Sequence, residues 1–130
     1  MNRGYNKNLV FIACCFGMLL FGISLITLGA VAPDLKQKFL LDGKESGTLF
    51  SILPVGILAG SLLFGPVCDR YGYKFLLVIA CLAMFAGFEG IAYADSLMVL
   101  KICVGLFGMG GGIINGATNA LVADISNKNK

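Results

Sequence analysis

The sequence contains no histidine, and only 13% of its 130 residues are charged. A typical soluble domain carries about 25% charged residues. Histidine is the commonest metal ligand and a frequent general base, and the five cysteines show no metal-ligand spacing. The cysteines are therefore predicted to be packing residues, and no metal is expected. There is also no nucleophile–base set and no phosphate loop after a strand. We expect neither an enzyme, nor a cofactor, nor a nucleic-acid partner.

Apolar residues dominate instead, at 58% of the chain with a mean hydropathy of +0.88. They form four long runs, and about 20 helical residues cross the ~30 Å hydrocarbon layer. Alternation typical of strands is missing, and only helices or closed barrels satisfy their backbone in lipid. The sequence predicts an all-α membrane protein in a lipid bilayer, with antiparallel consecutive helices. The predicted transmembrane helices cover about residues 9–32, 47–68, 75–94 and 97–123.

Two local features set the expected ends of these helices. Pro33 is expected to end the first helix, because proline lacks the N–H that continues a helix. Asp95 and Ser96 form a tight turn, and Ser96 is expected to cap the fourth helix.

A cleaved signal peptide is the alternative for the first run. Arg3 and Lys7 give it a basic start, and residues 30–32 resemble a cleavage site. However, the run is longer than the roughly 7–15 residues of a signal-peptide core, and Pro33 would hinder cleavage. We predict a retained helix.

Basic residues flanking the runs predict the orientation, because they concentrate on the cytoplasmic side. With the N-terminus inside, six basic residues lie on the inner side and three on the outer side. We expect a multi-pass plasma (inner) membrane protein with both termini in the cytoplasm. The inner residues are Arg3, Lys7, Arg70, Lys74, Lys128 and Lys130, and the outer ones are Lys36, Lys38 and Lys44.

The turn between the second and third runs, residues 65–74, reads GPVCDRYGYK. It resembles the signature loop of the major facilitator superfamily, Gly-x-x-x-Asp-(Arg/Lys)-x-Gly-(Arg/Lys)-(Arg/Lys). A generic cytoplasmic turn with a glycine is the alternative. The matching residues are Gly65, Asp69, Arg70, Gly72 and Lys74, while Tyr73 stands where a basic residue is usual.

The resemblance implies a gating role for this turn. Asp69 would pair with the loop's own basic residue and with a helix N-terminus in the other half of the transporter. An anion at the C-terminal end of a helix is disfavoured by the helix dipole, so Asp69 needs such a partner. Gly65 would let the two halves approach, and Gly72 would permit the tight turn.

Members of this superfamily resemble twelve-helix proteins built from two halves, each with two three-helix repeats. Four helices correspond to the first repeat and the opening helix of the second. Residues 1–130 are thus expected to form a partial N-terminal half of the twelve-helix major facilitator fold. Its partners would be the missing transporter helices or another copy, and the piece is not expected to suffice for transport.

The fourth run resembles the glucose/galactose and fucose permease branch of the superfamily, which shows a glycine run followed by Glu-Thr-Ala-Ala-Asn. Here Gly110–Gly112 precede Asn119, which matches the final Asn, and Asn115 stands where the Glu would be. The resemblance implies alternating-access transport of a small solute, a sugar, in the manner of a symporter. That branch uses carboxylates in helices one and four, so proton coupling by that route is not expected here.

Polar side chains inside the apolar runs are candidates for binding the solute, because they usually face a cavity. Asn115 and Asn119 are one turn apart and share a face, as do Ser24 and Thr27. We hypothesise that these four residues line a polar cavity. The alternative is that they bond neighbouring helices or their own backbone carbonyls.

Glu89 and Lys101 lie at similar depths on the two sides of the Asp95–Ser96 turn. An unpaired charge at that depth is costly, so we predict a buried ion pair between the third and fourth helices. Alternatively, Lys101 reaches outward to the interface, and Glu89 is protonated or pairs with an absent helix.

Small residues recur every four positions in the second and fourth runs and predict close helix approach. These residues are Gly56, Gly60, Gly108, Gly112, Gly116 and Ala120.

Two other functions remain open. A small four-helix dimeric multidrug-type transporter has about this length, but it needs a carboxylate in its first helix, which is absent here. A non-transport membrane assembly module is the other alternative.

Overall fold

The computed structural model describes residues 7–127 of the chain, with side chains from residue 8 to residue 124. This part contains four α-helices, each long and apolar enough to cross a membrane. The prediction of an all-α fold with four spans is confirmed. The helices are α1 (Lys7–Lys38), α2 (Gly43–Tyr71), α3 (Tyr73–Ala92) and α4 (Leu97–Asn127). Arg3, Lys128 and Lys130, and the side chain of Lys7, lie outside the described residues.

Pro33 does not end the first helix, contrary to the prediction. It lies inside α1, which continues to Lys38, and α2 likewise contains Pro54 and Pro66. Membrane helices tolerate proline because neighbouring groups and local adjustments satisfy the freed backbone. The connection between α1 and α2 therefore shrinks to residues 39–42.

Polar residues extend α2 beyond its apolar run. The Asp42 N–H donates to Glu45 Oε2 at 3.4 Å, next to the first turn of the helix, which is one arm of a capping box. At the start of α4, the Val99 N–H donates to Ser96 Oγ at 3.3 Å. The predicted cap at Ser96 is confirmed.

α4 is the central helix of the described fold, since α2, α3 and, to a smaller extent, α1 all pack on it. Glycines set its distance from α2. A Cβ built on Gly108 would lie 2.7 Å from the Leu53 carbonyl oxygen, and one on Gly56 would lie 2.8 Å from the Gly105 carbonyl oxygen. The predicted close approach of the second and fourth helices is confirmed.

α3 packs on a different side of α4. A Cβ on Gly87 would lie 2.7 Å from the Phe107 nitrogen and 2.9 Å from the Cys103 carbonyl oxygen. Phe107 is fully buried in the core. The Phe21 ring of α1 lies directly against Gly111 of α4, so α1 occupies a third side.

Candidate functional site

Gly72 alone separates α2 from α3 and reverses the chain direction. Its φ of 81° and ψ of 160° fall in a region that is essentially restricted to glycine. The Gly72 N–H donates to the Cys68 carbonyl oxygen at 2.8 Å. This is the backbone conformation that the expected tight turn at Gly72 requires.

The charged residues of this turn are open to solvent. Asp69 and Arg70 are exposed on the last turns of α2, and Lys74 is exposed on the first turn of α3. The Arg70 guanidinium lies 5.7 Å from the centre of the Tyr71 ring. Across residues 8–124 no salt bridge within 4.0 Å engages Asp69. The gating contact of Asp69, and the role of Gly65 in it, stay predictions.

The patterns in the sequence did not point to Asp124, which lies on α4 at this end of the molecule. The Tyr73 side chain lies near the Asp124 carboxylate of α4 and the Cys68 thiol, but no hydrogen bond joins it to either group in the described part of the chain. The Tyr73 ring also lies 5.9 Å from the Phe64 ring, centre to centre. The residue that departs from the family pattern thus lies where the turn approaches α4. An acidic residue near the end of the fourth run was the signal in the sequence.

The two asparagines of α4 share a face, as predicted. Asn119 Nδ2 donates to Asn115 Oδ1 at 3.2 Å, and Asn119 is exposed while Asn115 is half-buried. Gly111 and Thr118 of α4 face α1, whereas Gly112 and Gly116 face α2. At about 100° per residue, Asn115 lies between these two sides of α4, and Asn119 lies about 20° from Gly112, on the side that faces α2. We call this strip of α4, which carries Asn115 and Asn119, the amide strip.

A cavity of about 300 Å³ opens beside the amide strip, between α1 and α4. The hydrogen-bonding groups in its wall are the Asn119 amide and the Thr118 hydroxyl, which already donates to the Ile114 carbonyl oxygen at 2.8 Å. Three of its wall residues carry sulfur. The lining residues are Cys14, Cys15, Met18, Thr118, Asn119 and Val122. We call it the sulfur–amide cavity.

Ser24 and Thr27 do not join the asparagines. Their hydroxyls donate to the carbonyl oxygens of Leu20 and Ile23, both at 2.9 Å, as the alternative interpretation expected. Thr27 lines a separate cavity of about 380 Å³ between α1 and α3. The four polar residues are therefore not brought into one cavity.

The buried ion pair is not formed. Glu89 is exposed on α3 and Lys101 is half-buried on α4, and no amine–carboxylate contact within 4.0 Å joins them. Helical rotation explains this. Cys103 of α4 contacts α3 at Gly87 and Gly90. Lys101 lies two residues earlier, a rotation of about 200° around the helix axis, and is therefore on nearly the opposite side of α4.

Lys101 instead lies on the side of α4 that carries the amide strip. It precedes Asn119 by eighteen residues, which is five turns at about 3.6 residues per turn. The two side chains thus share one face, although about 27 Å of helix separates them at ~1.5 Å per residue. The Lys101 ammonium therefore lies at one end of this face, and the Asn115 and Asn119 amides lie at the other end.

Known proteins resemble this chain along most of its length. A family profile described as Major Facilitator Superfamily matches residues 14–130. A 4-hydroxybenzoate transporter of Pseudomonas putida is 37% identical over 84% of this chain and 25% of its own length. A 3-(3-hydroxy-phenyl)propionate transporter of Escherichia coli is 32% identical over 78% of this chain and 26% of its own. A D-xylose transporter of Levilactobacillus brevis is 23% identical over 98% and 28%.

No solved structure shows a significant match. The chain spans about a quarter of the length of these relatives, which are named as transporters and not as enzymes. The matched profile, the relatives and the four apolar helices identify a multi-pass membrane protein, and the expectation of a non-enzymatic protein is confirmed. The chain belongs to the major facilitator superfamily.

Proposed function

We propose that the chain is the N-terminal part of an alternating-access transporter for small organic acids, with aromatic carboxylates as the foremost class. Two relatives with 37% and 32% identity carry the names of aromatic acids. The observation that carries the proposal is the position of Lys101 on the same face of α4 as the amide strip.

Lys101 supplies the charge complementarity. A half-buried ammonium within a membrane span is costly and usually belongs to a solute or ion path. Across the described side chains no carboxylate lies within 4.0 Å of it, so a solute carboxylate can take the place of a protein partner. The ~27 Å between Lys101 and Asn119 means that a small acid meets them in succession.

A sugar is the second candidate, as the resemblance of the fourth run implied. A relative named for D-xylose supports it, whereas one named for hexuronate, which is a sugar acid, fits either candidate. The Asn115 and Asn119 amides donate and accept hydrogen bonds, which suits hydroxyl groups. A neutral sugar carries no charge, however, so the Lys101 ammonium would have no anionic partner in such a solute.

Equilibrium binding to the chain in lipid nanodiscs tests the proposal. We expect saturable binding of 4-hydroxybenzoate and at least tenfold weaker binding of 4-hydroxybenzyl alcohol, which lacks the carboxylate. Lys101→Met should abolish this preference and Lys101→Arg should keep it. Lys44→Met, at an exposed position of α2, is the matched control. Equal binding of acid and alcohol, or binding of D-xylose alone, contradicts the organic-acid proposal.

We also propose that both termini and the turn around Gly72 face the cytoplasm of a plasma (inner) membrane, as the basic residues indicate. Asp69 would then meet a helix of the other transporter half during gating. A membrane-impermeant maleimide should label Lys44→Cys in intact cells and Lys74→Cys only after permeabilisation. The reverse pattern contradicts this orientation.

A further inference from the structure

The wall of the sulfur–amide cavity has an unusual composition for a sugar site. Cys14, Cys15 and Met18 of α1 contribute thiols and a thioether, and Asn119 is its one side-chain amide. Sugars are bound by many hydrogen-bonding groups, whereas sulfur makes favourable contacts with aromatic rings, worth about 0.3–1.5 kcal/mol each. The wall is suited to a flat ring with a polar substituent.

The position and size of the cavity fit the same ligand. Its volume of about 300 Å³ is at the lower end of the range of small-molecule pockets, about 300–1,000 Å³. Cys14 is buried, whereas Cys15 is exposed and Met18 is half-buried. Cys15 and Met18 are therefore the sulfur residues that a ligand can reach. Asn119 uses one N–H in its hydrogen bond to Asn115, so its second N–H and its carbonyl oxygen are available to a ligand.

We propose that Met18 and Cys15 form the surface that binds the aromatic ring of the solute, with the Asn119 amide hydrogen-bonded to a ring substituent. This inference rests on the proposed function, because it specifies how an aromatic acid is selected over a saturated one. Lys101 attracts the carboxylate at one end of this helix face, and the sulfur–amide cavity binds the ring about 27 Å away at the other end, so the two contacts are made in succession and not by one bound molecule.

Thiol protection tests the site directly. The chain in nanodiscs is treated with N-ethylmaleimide, and modification of each cysteine is followed by mass spectrometry. Saturating 4-hydroxybenzoate should slow modification of Cys15 at least tenfold. Cys81 is the control, since it is also exposed but lies on α3 and lines a neighbouring cavity, which shares Cys14 and Thr118 with the sulfur–amide cavity. Its rate should not change.

A substitution separates ring recognition from general packing. Met18→Leu keeps the volume and removes the sulfur, so it should weaken binding of 4-hydroxybenzoate by about two- to tenfold. Binding of 4-hydroxycyclohexanecarboxylate, which has the carboxylate but no aromatic ring, should be unchanged by it. A structural defect would weaken both ligands equally and would overturn the inference.

The outcomes distinguish the two proposals. Saturable, Lys101-dependent binding that leaves Cys15 unprotected overturns the aromatic site and leaves the organic-acid transporter standing. Absence of binding by either acid overturns both. Protection of Cys15 by the aromatic acid and not by the saturated one supports the inference.

Discussion

Gly108 of α4 packs against Gly56 of α2 so closely that a Cβ on Gly108 would lie 3.4 Å from the Gly56 Cα, and 2.7 Å from the Leu53 carbonyl oxygen. The second distance is shorter than real Cβ atoms tolerate, and a backbone carbonyl cannot move aside alone. The glycines therefore fix the separation of α2 and α4, and with it the position of the amide strip.

Gly108→Ala should destabilise the protein by about 1–3 kcal/mol, because the overpacking outweighs the gain in helix propensity. Gly22→Ala is the control, since a Cβ there meets nothing within 4 Å, and it should be neutral or stabilising by up to about 1 kcal/mol. Thermal unfolding in detergent, followed by circular dichroism, measures both. Equal stabilities of the two variants would contradict the packing shown here.

Gly72→Ala should cost about 1–3 kcal/mol, because an alanine at a φ of 81° and ψ of 160° is strained. Gly65→Ala lies inside α2 with nothing within 4 Å of the new Cβ, so it should not destabilise. Denaturation of the two variants under identical conditions gives the difference. A harmless Gly72→Ala would mean that the turn adopts another conformation.

Lys38→Met should loosen the end of α1, since Lys38 Nζ donates to the Ala94 carbonyl oxygen at 2.9 Å. Hydrogen bonds from charged donors contribute about 1.5–3 kcal/mol, and solvent exposure of Lys38 reduces the expected loss to about 1 kcal/mol. Lys36→Met removes an exposed charge two residues away and should have less effect. Hydrogen exchange along residues 30–38 reports the loosening, and similar exchange in both variants would argue against it.

Leu40→Gly should stabilise the connection between α1 and α2 by about 0.5–1 kcal/mol. Leu40 has a left-handed φ of 50° and is 86% exposed, so glycine relieves strain and removes little packing. Leu62→Gly is the control: Leu62 is 69% exposed but lies in the regular part of α2, where glycine should cost about 1 kcal/mol. Unfolding midpoints of the two variants should move in opposite directions.

Local signals in the sequence predicted much of the fold. The four apolar runs, the Ser96 cap and the turn at Gly72 depend on residues close together in the chain, and all are present in the structure. Pro33 was misjudged because its effect depends on what surrounds the helix. In an apolar bundle, the loss of one backbone hydrogen bond does not end a helix of 32 residues.

The sequence by itself determined that lipid is the solvent of this protein, because hydropathy is summed along each run without reference to its neighbours. Only the tertiary structure decided which face of each helix meets which partner. It turned Lys101 away from Glu89, placed Thr27 and Asn119 in different cavities, and brought Cys15 beside the amide strip. The physical reason is that glycine contacts between helices set their relative rotation, and at about 100° per residue a shift of two positions moves a side chain to another side.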